Sequence, residues 1–126
     1  MAGRAVATGS LGAAADTGST IDVMVAYTST ARAAAGGTAA MKATILTALN
    51  ETNTSYANSG VVPRLRLVHV EEVAYTESGN ISTDVSRLQG TADGYMDNLH
   101  AVRNTYGADM VGLIVENGGG YCGMAA

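Results

Sequence analysis

Tryptophan and phenylalanine are absent from the 126 residues, so any core must be built from Val, Leu, Ile, Met and six Tyr. Lysine occurs once and the net charge is −4. A nucleic-acid footprint needs clustered Lys and Arg to displace counterions. The one close basic pair, Arg64 and Arg66, makes no such patch. No apolar run approaches the roughly 20 residues that span a bilayer. Neither nucleic acid nor a membrane is therefore an expected partner. The opening "MAGRAVATGSLGAAADTGST" has one Arg and is too polar and glycine-rich for the apolar stretch of a secretory signal. Cysteine occurs once, at Cys122. It can be a buried thiol, a reactive thiol, or half of a disulfide whose partner is absent, and composition alone favours the first.

What is present suits a single globular domain: an apolar fraction of 47% in a length that fills one core. Residues 1–19 are mostly Ala, Gly, Ser and Thr without a period and read as a flexible arm. Residues 20–126 read as one α/β domain. In "TIDVMVAYTS" the β-branched Ile21, Val23 and Val25 fall on one face, which indicates a strand. After "ARAAAGG", Thr38 is the expected cap of a helix whose Met41, Ile45, Leu49, Thr52 and Tyr56 share a face. Asn58 to Gly60 supplies the stop. "VPRLRLVHVEEVAYT" is a second strand, with Pro63 tolerated only at its beginning.

A short helix follows in "NISTDVSRLQG", with Ser82 as cap, Ile81, Val85 and Leu88 as its apolar face and Gly90 as its end. Asp93 is the expected cap of "GYMDNLHAVRNTYG", where Tyr95, Leu99, Val102 and Tyr106 share a face and Gly107 closes the helix. The nearly continuous apolar "ADMVGLIVE" reads as a strand buried on both faces. The order β-α-β-α-α-β, with a short edge strand near "YCGMAA", predicts a layered, mostly parallel twisted sheet with packed helices.

The chemistry-bearing residues do not assemble into a site by spacing. His69 lies in the second strand and His100 in the third helix, without the partner spacing of a zinc helix. Glu71 and Glu72 are strand neighbours and point to opposite faces, so they cannot converge on one substrate. "NGGGYCG" has a phosphate loop's glycines but neither a following helix nor a Lys. "YTSTA", Tyr27 to Ala31, is hydroxyl-rich like an integrin-type metal loop, yet Tyr27 stands where the leading Asp is needed. No G-x-S-x-G elbow is present.

Three stretches taken together carry a resemblance: "IDVMVAYTSTARAAAGG", "YANSGVVPRLRLVHVEEVAYTESG" and "YGADMVGLIVENGGGYCGMAA". They resemble the front half of bacterial metzincin-type zinc endopeptidases of the reprolysin-like and peptidyl-Asp group, over Thr20 to Ala126. The resemblance implies a zincin-like N-terminal subdomain that roofs an active-site cleft, in a secreted protein. The family's zinc-binding helix, HExxHxxGxxH, is expected to follow; no HExxH occurs in residues 1–126. Zinc therefore belongs to the parent family, and neither His69 nor His100 matches one of its ligands. The resemblance further implies that Gly123, Met124 and Ala125 form the edge that receives an extended substrate by strand pairing. An ordinary edge strand is the alternative. It also implies that Cys122 pairs with a cysteine of the absent half.

Two functions follow. The chain is the N-terminal subdomain of a zinc endopeptidase, inactive alone, whose partner is the missing catalytic half. Alternatively it is a free-standing α/β module that binds an extended peptide or a second copy of itself through its exposed edge. A small enzyme with unrecognised chemistry ranks third.

Overall fold

The computed structural model of the chain describes residues 20–119. Its elements are β1 (Thr20–Thr28), α1 (Ser29–Ala35), α2 (Thr38–Asn58), β2 (Arg64–Val73), α3 (Ile81–Gln89), α4 (Asn98–Tyr106) and β3 (Met110–Ile114). The three strands are all parallel and lie in the order β2-β1-β3. This is the layered parallel α/β fold that the sequence pattern predicts.

β1 is the middle strand and its pleat sorts two cores. Ile21, Val23, Val25 and Tyr27 pack with Ala31 of α1 and Met41 and Ile45 of α2. Met24 and Ala26 point the other way, to Val73, Tyr75, Met96, Leu99 and Ala108. Parallel strands need crossover connections, and each crossover here brings its own helices to one face. The register slips between Val23 and Met24, where Leu67 and then His69 are the partners and Val68 is bulged out.

Several expectations are corrected in detail. The strand covered on both faces is β1; β3 is half-buried, with Met110 54% exposed, because among the described residues β1 is its one neighbour. The stretch after β1, to which the sequence pattern assigns no element, is the helix α1, capped by Thr28, whose Oγ1 accepts from Ala31 N, and ended by Gly36 at φ +104°. Thr38 is the first residue of α2, and Gly37 takes the capping position. α3 is capped by Asn80, not Ser82, because the amide oxygen of Asn80 reaches the N–H groups of both Ser82 and Thr83. α4 begins at Asn98 rather than after Asp93. Positive φ at Gly94 and Met96 breaks the helical path, and the Asp97 carboxylate accepts from Asp93 N and Gly94 N. Tyr95 therefore lies in a loop, while Leu99 and Val102 do face the core. The expected short strand near "YCGMAA" lies outside the described residues.

Candidate functional site

In an open parallel sheet the crevice outside the carboxyl ends of the strands, where connections leave to opposite faces, is the ordinary place for a site. Here β1 leads into α1 and α2 on one face, and β3 was reached through α3 and α4 on the other. Between them opens a cleft of about 360 Å3, lined by Ser29, Thr30, Tyr75, Glu77, Glu116 and Asn117 among others.

Glu77, on the connection from β2 to α3, fills this crevice with its carboxylate. Its Oε2 accepts from Thr28 Oγ1 at 2.5 Å, Thr30 Oγ1 at 2.7 Å and the Glu116 N–H at 2.8 Å. Its Oε1 accepts from the Asn117 N–H at 3.0 Å. Burial by itself raises the Glu77 carboxyl. The hydrogen bonds from Thr28, Glu116, Thr30 and Asn117 outweigh it and hold the group below the usual carboxylate range. One carboxylate thus ties together the ends of β1 and β3 and the connection after β2.

A second carboxylate stands behind it. Asp84 is 1% exposed, and its Oδ1 accepts from the Tyr75 hydroxyl and from Ser78 N at 3.1 Å. Asp84 Oδ2 is buried with no partner among the described residues. Arg87 donates to the Tyr75 oxygen at 3.3 Å and lies 4.0 Å above the Tyr95 ring. Burial, then the hydrogen bond to Asp84, pushes the Tyr75 phenol up. This network fixes the start of α3 against the end of β2, and with it the loop that carries Glu77.

The two histidines are separate and committed. His69 stacks on Tyr106 with ring centroids 4.0 Å apart and donates from Nε2 to Glu71 Oε1 at 3.0 Å. His100 donates from Nε2 to the Gly90 carbonyl at 2.9 Å. Glu71 and Glu72 do point to opposite faces, since Glu72 pairs with Arg32 of α1. Among the described residues no group of three or more His, Cys, Asp or Glu side chains converges as a metal site requires. These residues do not fit a zinc centre, and no chemical step is assigned to one here. A second cavity of about 320 Å3, between α3, α4 and β3, is lined by Leu88, Leu99, His100, Arg103, Asp109 and Val111. Gln89 lines it as well; His100, Arg103 and Asp109 are bonded to backbone groups.

The expected substrate edge, Gly123, Met124 and Ala125, and Cys122 lie outside the described residues. Sequence reasoning missed Glu77. The signal was the hydroxyl-rich "YTSTA": an acid does meet its threonines, but it arrives from 49 residues downstream of Thr28 rather than from the head of the loop.

Fold and crevice define a parallel α/β domain whose loops converge at the carboxyl edge of its sheet. The chain belongs to metallo-peptidase family M12, reprolysin type, whose family model matches residues 17–126. It is 45% identical over 114 residues to a peptidyl-Asp metalloendopeptidase of Stenotrophomonas maltophilia (strain K279a), covering 90% of this chain and 27% of the relative. A peptidyl-Asp metalloendopeptidase of Xanthomonas campestris pv. campestris is 46% identical over 107 residues, 85% of this chain and 25% of the relative. One of Pseudomonas aeruginosa is 33% identical over 112 residues, 83% of this chain and 18% of the relative. The chain thus spans about a quarter of the length of the Stenotrophomonas and Xanthomonas relatives. No solved structure matches it.

Proposed function

We propose that the chain is the front, cleft-roofing subdomain of a secreted zinc endopeptidase of the metzincin type, and that the zinc ligands and the catalytic base come from the remainder of that peptidase. The observation that carries this reading is a division of labour. The family match takes in the whole described domain, yet among the described residues no group of three or more His, Cys, Asp or Glu side chains converges. In this reading the chain contributes a sheet, a crevice and an edge for an extended peptide at Gly123, Met124 and Ala125. The preference of the relatives for aspartyl peptides, as their name states it, is the first specificity to try.

The test joins the chain to the zinc-bearing remainder and follows cleavage of an Asp-containing peptide. Zinc-dependent cleavage by the joined protein, with none by the chain alone, is expected. Hydrolysis by the chain alone, or a folded, zinc-loaded joined protein that cleaves nothing, contradicts the proposal.

A second reading, a module that pairs with a peptide or another copy of itself, is favoured by one contrast. On β2 the Asn53 side chain takes both backbone groups of Leu65, at 2.8 and 2.9 Å, whereas β3 has no second strand beside it among the described residues. An open strand edge is a template for pairing. Sedimentation equilibrium, alone and with an extended peptide, separates the readings: a defined dimer or peptide complex supports the module, and a monomer that binds no peptide removes it.

A further inference from the structure

We infer that Asn117 is a self-modifying site, whose side-chain amide is lost to attack by the backbone nitrogen that follows it, and that this loosens the crevice Glu77 holds together. Nothing in this depends on the peptidase reading.

Of the seven asparagines, Asn117 alone precedes a glycine. A Cβ on the next residue crowds the approach of its nitrogen to the asparagine Cγ, and glycine has none. The backbone is also set for that approach. Asn117 is exposed at the crevice, and its Oδ1 accepts from Gly119 N at 2.9 Å. A turn of this kind folds the side chain back over the peptide that follows it, so Cγ is held beside the Gly118 nitrogen. Among the described residues the Gly118 N–H donates to no partner. The Gly119 N–H points at the oxygen that must take the negative charge, as an oxyanion-hole donor does.

Other turns of the same kind each lack one of these features. Asn80 Oδ1 accepts from Ser82 N at 2.9 Å, but the residue between is the β-branched Ile81, whose N–H is spent on the Gly118 carbonyl at 3.3 Å. Asp93 Oδ1 accepts from Tyr95 N at 3.0 Å ahead of Gly94, but the Gly94 N–H is held by Asp97 Oδ2 at 2.8 Å. The remaining asparagines lie in α2 and α4.

In the reaction, Gly118 N loses its proton to hydroxide and bonds to Asn117 Cγ, while Oδ1 carries the charge. The Cγ–Nδ2 bond then breaks, and Nδ2 takes a proton from water and leaves as ammonia. Water opens the cyclic imide at either carbonyl, to aspartate or isoaspartate. Either product adds a negative charge to the residue whose N–H is bonded to Glu77 Oε1 at 3.0 Å, and like charges there repel. Isoaspartate also lengthens the main chain by one carbon. The lengthening falls where the Gly118 carbonyl and Gly119 pack on the loop that carries Glu77.

The experiment ages the folded chain in heavy-oxygen water at mildly alkaline pH, locates the label by peptide mass spectrometry, and follows hydrogen exchange at the Glu116 amide. Beside it run the chain unfolded in guanidinium, Gly118→Ala and Asn117→Gln. Asn117 is expected to take up label at least about tenfold faster than Asn80, and at least as fast folded as unfolded. Gly118→Ala should slow the uptake about tenfold, and Asn117→Gln should keep its amide. In the aged wild type, exchange at the Glu116 amide should run about tenfold faster than in aged Asn117→Gln, on the order of one lost hydrogen bond. Should Gly118→Ala fail to fold, the comparison of Asn117 with Asn80 within the wild-type chain carries the test. Labelling at Asn117 no faster than at Asn80 overturns the inference. So does slower labelling in the folded chain than in the unfolded one, because the turn would then shield Cγ. Labelling without a change at the Glu116 amide overturns the loosening of the crevice.

Discussion

Removing one hydroxyl, in Tyr75→Phe, should cost about 2 kcal/mol of stability, the order for leaving a buried acceptor without its donor. The ring stays in place in a site where Tyr75 is 8% exposed, so packing is nearly conserved. What is lost is the donor to Asp84 Oδ1, while Oδ2 already lacks a partner among the described residues. Asp84→Ala should cost more, about 3 kcal/mol, because it strands the Tyr75 hydroxyl and the Ser78 N–H and leaves a small cavity. In the double variant the stranded hydroxyl is gone, so the combined loss should stay near about 3.5 kcal/mol. The coupling is then about 1.5 kcal/mol, within the range for residues that share one network. Urea unfolding of the four proteins, followed by circular dichroism, measures it. For a domain of this size a Tyr75→Phe loss of that order lowers the melting temperature by about 10 °C. Losses that add to within about 0.5 kcal/mol would refute the reasoning and reduce the contact to mere proximity.

Met24→Ala, at a side chain with no exposure in the middle of β1, should destabilise by about 2–5 kcal/mol in the same urea assay. Gly119→Ala should cost about 1–3 kcal/mol, from positive φ and the approach to Gly79, and an unchanged melting temperature would contradict that account. Glu77 has a folded-state carboxyl below its ordinary value, so it stabilises above the unfolded pKa, and that contribution disappears as pH falls through the folded pKa. Wild type and Glu77→Gln should thus differ in urea midpoint at neutral pH and converge in acid; a gap that stays constant with pH speaks against it. The Arg32–Glu72 pair, with both side chains 37% exposed, should contribute less than about 1 kcal/mol in a double-variant cycle and fade in high salt.

Much of the scaffold could be read from short-range signals. The alternation in β1, the stripe from Met41 to Leu49 and the closing glycines Gly90 and Gly107 act over a few residues, and each lies where the pattern puts it. α1 was hidden because its seven residues are mostly alanine, with no apolar period to find, although Ala is the strongest helix former and Thr28 a good cap. Which strand is central could not be read from apolar runs. Asp22 interrupts the run of β1 while pairing with Arg66 at the sheet's end, and the uninterrupted β3 lies at the side. Caps fell one to four residues away: Gly37 precedes Thr38, the Asn80 side chain reaches the first free N–H groups of α3 ahead of Ser82, and positive φ at Gly94 and Met96 moves the start of α4 from Asp93 to Asp97. The site was the least legible part. Glu77 meets Thr28 across 49 residues and Glu116 across 39, and Asp84 sits on the buried face of α3 among residues that look like an ordinary amphipathic helix. Only the sheet's topology brings these groups together.

On the proposed reading, this chain frames a metallopeptidase cleft whose metal donors lie in the remainder of the peptidase. Zinc content per chain, measured on the folded and exhaustively dialysed protein and read beside its oligomeric mass, tests it most directly. Far less than one zinc per chain is expected, whatever the mass. Stoichiometric zinc that resists dialysis would contradict it, because a tight site needs three or four convergent donors. Among the described residues, His69 and His100 would then have to supply Nδ1, since Nε2 of each is engaged.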